Sequence, residues 1–167
     1  MKLKRNVEID VKNIRLIYNS LSIQYCGNSP KNIERYFSEE DNLKSFPPNG
    51  KLEVSELDSF FYIKCNYEIV GFYRLTNLFF IDAIELHGSF SKHNTFLIKS
   101  YFELTKLFVS SISKKFPKRR ILSIAHKTNY NVIRFLNYLN FSFIGEENGN
   151  NNYLIFEKYL QLNVKGN

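Results

Sequence analysis

The chain has 167 residues, a formal charge of +7, a pI near 9.3, and 44% apolar and 16% aromatic residues. This describes one folded domain large enough to bury a core, and it excludes a disordered chain. The positive charge favours anionic partners such as nucleic acid, a phosphorylated cofactor or an acidic protein surface. Scattered lysines that solvate the surface account for it as simply.

The aromatic residues are Phe and Tyr, with no Trp, which reads as compositional bias. Cys26 and Cys65 lie far apart in sequence and form no zinc or redox spacing, as expected of reduced thiols in a cytoplasmic protein. No apolar segment follows the basic start Met1 to Asn6, so no signal peptide is expected. No run approaches the roughly 20 apolar residues of a membrane span, and no membrane association is expected.

In chain order, Val7 to Val11 suggests a first strand. Asn13 to Cys26 places Ile14, Ile17, Leu21 and Tyr25 at spacings of three to four, which predicts a helix capped by Asn13. Gly27 to Pro30 breaks it, and Ser29-Pro30 opens a second short helix through Phe37. Ser38 to Gly50 reads as a loop.

From Ser59 the period becomes two. Phe61, Ile63 and Cys65 alternate with Tyr62 and Lys64 as in a half-buried strand. A turn at Asn66 to Glu68 leads to a returning strand from Ile69 to Leu75. A second turn at Thr76-Asn77 leads to a third strand, Leu78 to His87. Asn94 to Phe116 then aligns Leu97, Tyr101, Leu104, Phe108 and Ile112 on one helical face, and Pro117 closes the helix. With a buried strand from Ile121 to Ala125, this forms a right-handed βαβ crossover with parallel outer strands. A short amphipathic helix begins after Asn129, and a strand pair flanks the turn-rich run from Glu146 to Asn152.

This order, with two local matches, resembles the GNAT acyltransferase superfamily. Asn66 to Phe72 is similar to the family's turn and returning strand with an internal Gly, here Gly71. Asn129 to Phe141 is similar to its N-x-x-A-I-x-x-Y-x-x-x-G-F run, with Val132 for the Ala and Asn140 for the Gly. The resemblance covers residues 55–160 best and implies a single domain over 1–167. The implied fold class is α/β: a mixed central sheet, made of an antiparallel meander and a parallel βαβ crossover, flanked by helices. The Asn-rich bias and small size also resemble divergent, phage-type acetyltransferase-like proteins.

The resemblance implies transfer of an acetyl group from acetyl-CoA to an amine on a small molecule or protein. In the family, the CoA pyrophosphate meets backbone N–H groups of a Q/R-x-x-G-x-G/A motif at a helix N-terminus. The matching segment supplies Lys92, His93, Asn94 and Thr95, with Thr95 and Leu97 where glycines are expected. Asn129 matches the Asn that contacts the cofactor arm, and it reads equally well as a helix cap. Leu136 stands where many members carry the Tyr that protonates the leaving thiolate. Tyr138, two residues on, lies about 200° around the helix.

Aminolysis of a thioester needs a base. Glu85 and His87, at i and i+2 of a strand, share a face and are the candidate catalytic pair; the plainer reading puts them on a solvated face. His126 ends a strand and reads as a capping residue. The three His lack metal-ligand spacing, so no metal is expected. The run Lys114 to Arg120 reads first as a solvated connection; nucleic acid bound there would be released by salt. A GNAT-fold binding or virion-associated module without catalysis is the rival reading.

Overall fold

The computed structural model describes residues 14–27, 56–90 and 97–158. They build one eight-stranded sheet in the order β1-β2-β3-β4-β5-β6-β8-β7. The strands are β1 (Leu16–Tyr18), β2 (Leu21–Gly27), β3 (Asp58–Cys65), β4 (Glu68–Leu78), β5 (Ala83–Phe90), β6 (Arg120–His126), β7 (Phe141–Glu147) and β8 (Asn150–Lys158). Two α-helices lie among the described residues, α1 (Ile98–Lys115) and α2 (Tyr130–Tyr138), with a 3-10 turn at Phe79–Ile81. All ladders are antiparallel except β5–β6, the parallel pair joined through α1. The expected α/β architecture is therefore present.

The helix expected over Asn13 to Cys26 is instead the hairpin β1–β2. Its register pairs Tyr18 with Leu21 across Asn19-Ser20, and Asn19 adopts φ 53°. A helix would have buried Ile17 beside Leu21, yet Ile17 is 77% exposed while Leu21 and Ile23 are buried. The alternation Leu21, Ile23, Tyr25 carries the strand period, and an Asn able to enter the left-handed region makes the turn. The expected elements over Val7 to Val11 and Ser29 to Phe37, and the loop from Ser38 to Gly50, lie outside the described residues.

The meander from β3 to β5 is as expected, but its second turn is displaced. β4 runs through Thr76-Asn77 to Leu78, and the chain reverses over Phe79 to Asp82, where Asp82 adopts φ 51°. The third strand therefore begins at Ala83, not Leu78. The unbroken apolar run from Leu78 to Ile81 concealed the reversal. The C-terminal strands do pair as a hairpin, with β8 inserted between β6 and β7.

Core packing follows the helical stripe. Tyr101, Leu104, Phe108 and Ile112 of α1 are buried against Phe61, Ile63, Tyr73, Leu75, Ile84 and Leu86 of the sheet. Phe108 stacks on Tyr73 at 4.6 Å and meets Phe61 edge-on at 5.1 Å between ring centroids. Full burial of one such ring contributes about 1.5–3 kcal/mol. Gly71 permits the close approach of β4 and β5, because a Cβ there would stand 2.4 Å from the Ser89 carbonyl oxygen.

Candidate active site

Alternation assigns β4 and β5 residues to two faces. Tyr73 and Leu75 pair with Gly88 and Leu86 on the α1 side, whereas Arg74 and Thr76 pair with His87 and Glu85 on the other. On the same rung as Glu85, Asp58 pairs with Thr76 from the other side, and the Thr76 hydroxyl donates to the Asp58 carboxylate at 2.6 Å. Asp58, Thr76, Glu85, Arg74 and His87 thus form a polar strip on the sheet face away from α1. The expectation that Glu85 and His87 share a face agrees with this register. The strip is half-buried, so the solvated-face reading does not describe it.

Arg74 was not singled out from sequence, although a lone charge inside the apolar strand IVGFYRL was its signal. Its Nη2 lies 3.7 Å from Glu85 Oε1, and the two side chains are only 15% and 21% exposed. Burial is the main cause that pushes the Glu85 carboxyl above its ordinary range. The carboxylates of Glu147 and Asp58 act in the same direction, and Arg74 opposes them. Burial, then the neighbouring Arg74 cation, lowers the His87 pKa to about 3. At neutral pH the imidazole is uncharged.

Glu85 also marks a change in the sheet. The parallel ladder pairs Ala83 with Arg120, Ile84 with Ile121 and Glu85 with Leu122, and ends there. β5 continues to Phe90 and β6 to His126 without pairing to each other. Beyond Glu85 the two strands part, leaving a gap with main-chain groups along both walls. Glu85 stands at its vertex. Aromatic rings support the open end: Phe90 stacks on Tyr101 at 4.4 Å, Tyr101 on Phe135 at 5.5 Å, and Phe135 on Phe102 at 4.6 Å.

No protein-family model and no curated protein matches the chain. Solved structures do. The ribosomal-protein-S5-alanine acetyltransferase of Vibrio fischeri superposes with a TM-score of 0.66 at 15% identity, over 87% of this chain and 96% of that one. RimL, a ribosomal L7/L12 alpha-N-protein acetyltransferase in complex with coenzyme A, gives 0.66 at 9% identity, over 86% and 96%. A probable GNAT-family acetyltransferase of Chromobacterium violaceum gives 0.64 at 17% identity, over 86% and 89%.

This chain has the GNAT fold.

The ladder between the two parted strands stops at Glu85. The main-chain groups of residues 86–90 and 123–126 line the gap without a ladder joining them. Lys92, His93, Asn94 and Thr95, expected to hold the pyrophosphate, lie outside the described residues. Asn129 follows β6 at the open end, and its Oδ1 accepts from Val132 N at 3.3 Å. That is the capping geometry.

The two leucines at departures from the family pattern belong to the core: Leu97 is 6% and Leu136 4% exposed. Leu136 brings no acid. Tyr138 lies on the outer side of α2, donating its hydroxyl to Glu103 of α1 with Lys106 Nζ 5.8 Å from its ring centroid. Its pKa is raised, first by that hydrogen bond. His126 bonds Thr128 through Nδ1 at 2.8 Å and meets Tyr153 edge-on, a local structural arrangement. Among the described residues, no group of three or more His, Cys, Asp or Glu is placed to hold a metal ion.

Proposed function

We propose that the chain is an acetyl-CoA-dependent N-acetyltransferase acting on a primary amine of a small molecule or a protein. The observation that carries this reading is the half-buried Glu85 carboxylate at the vertex where β5 and β6 part. Acetyl-CoA supplies the acetyl group as a thioester. The gap walls hold the arm through main-chain groups, Asn129 contacts it at the open end, and Lys92, His93, Asn94 and Thr95 receive the phosphates. Glu85 accepts the proton released by the attacking amine, and burial makes it a stronger base than an exposed carboxylate. His87 stays neutral and lines the strip above Glu85. With Leu136 in the position of the acid, water protonates the thiolate. The acetyltransferase names of the similar structures, two of them acting on ribosomal proteins, favour a protein amine among the acceptors to test.

The buried Leu136 favours a second reading, a GNAT-fold binding module without catalysis. Calorimetry with acetyl-CoA separates the two. Binding below millimolar concentration is expected, and no heat at millimolar acetyl-CoA would refute the enzyme. Thiol release in the presence of a panel of primary amines and amino-terminal peptides should then fall about 10²–10⁴-fold in Glu85→Gln, with acetyl-CoA affinity retained. The rate in the native chain should rise with pH as Glu85 ionises, since only the carboxylate is a base.

A further inference from the structure

At the end of the sheet opposite the gap, between β4 and β5, Phe79, Phe80 and Ile81 are 47%, 70% and 42% exposed. Three consecutive exposed apolar residues are unfavourable in water unless something covers them. The segment is also held firmly. Asn77 N donates to Leu57 O at 3.0 Å, and Arg120 N donates to Asp82 O at 3.0 Å. The Arg119 guanidinium bonds both Asn77 Oδ1, at 2.7 Å, and Ala83 O, at 3.2 Å. The knob therefore presents its side chains without first being ordered.

The same hydrogen bonds fasten the knob to the turn that follows α1, and so to a basic rim. Lys118, in that turn, and Lys114 and Lys115, in the last turn of α1 before it, are all exposed. Apolar residues at the centre with lysines around them match the cross-section of an anionic bilayer, where the rings enter the acyl boundary and the ammonium groups meet headgroup phosphates. A single-stranded nucleic acid fits less well. Phe79 and Phe80 lie at 83° to each other, so they offer no flat platform for successive bases, and Ile81 has no face to stack on.

We propose that the Phe79-Phe80-Ile81 knob and the rim of Lys114, Lys115 and Lys118 dock the protein peripherally on anionic membrane surfaces. No described helix is long and apolar enough to cross a membrane, and docking of this kind needs none. Asp82 carries the opposing charge at the edge of the knob, so Asp82→Asn should strengthen docking. The gap between β5 and β6 starts at Glu85, roughly 10 Å along the strand from Asp82, and opens at the far end of β5, roughly 25 Å away.

The chain has no Trp, so Phe80→Trp supplies a sole indole reporter. Vesicles of phosphatidylcholine with about 30% phosphatidylserine should shift its emission to the blue, and brominated lipid should quench it. Pure phosphatidylcholine vesicles should do neither. In co-sedimentation, Phe80→Asp should weaken binding at least about tenfold, and each Lys→Gln at 114, 115 or 118 about fivefold. Circular dichroism would check that the variants stay folded. Vesicle binding unaffected by Phe80→Asp, or an unshifted Phe80→Trp emission, would overturn the proposal. So would tighter binding to a single-stranded oligonucleotide that the same variants abolish, or a dimer in sedimentation velocity that Phe80→Asp disperses.

Discussion

His87 should make the fold sensitive to acid by an amount that can be worked out in advance. Its pKa falls from 6.5 to about 3 in the folded chain, first through burial and then through Arg74. A depressed pKa in a base means that the folded state holds the neutral form. The stability involved is fully present above the unfolded value and is lost as pH falls towards the folded one. At about pH 5 an unfolded His is almost wholly protonated and the folded one almost wholly neutral, which costs about 2 kcal/mol; near pH 4 the cost reaches about 3 kcal/mol. Glu85 has a raised pKa and acts in the opposite sense, its stabilisation being present at low pH and lost as pH rises through the raised value. Comparison with His87→Asn cancels Glu85, since both chains contain it. Urea unfolding at about pH 7.5 and about pH 5 should show the native chain losing about 2 kcal/mol more than the variant. Equal losses, or a His87 ring proton that titrates near its ordinary value by NMR, would refute the burial argument.

Gly71→Ala should cost at least about 1–3 kcal/mol in thermal melts, because the new Cβ meets the Ser89 backbone oxygen and β4 must move from β5. Gly145→Ala is the control: a Cβ there meets nothing within 4 Å, and its melting temperature should barely change. Asn129→Ala should lose about 1 kcal/mol by removing the cap on α2, measured by chemical denaturation. Phe108→Ala should lose about 3–5 kcal/mol, because the ring fills the space between Tyr73 and Phe61; an unchanged denaturation midpoint would contradict that packing.

Where one periodicity held over many residues, the amino-acid sequence alone was enough. The stripe from Leu97 to Ile112 committed one face of α1 to the core, because five apolar residues at helical spacing leave no other face to bury. The alternation from Phe61 to Cys65 did the same for β3, and Asn129 carried its capping role in its side chain. Short segments were ambiguous. Between Asn13 and Cys26, Ile14, Ile17, Leu21 and Tyr25 carry a helical spacing while Leu21, Ile23 and Tyr25 alternate as in a strand, and pairing of β2 with β3 decided for the hairpin. Pairing is a contact between residues some forty positions apart, which local spacing does not encode. The candidate site divides in the same way. The shared face of Glu85 and His87 follows from strand alternation. The proximity of Arg74 follows from the β4–β5 register, and the position of Glu85 at the vertex follows from where the β5–β6 ladder stops. Only the folded sheet sets those, because desolvation, ion pairing and strand divergence arise when separate segments are brought together.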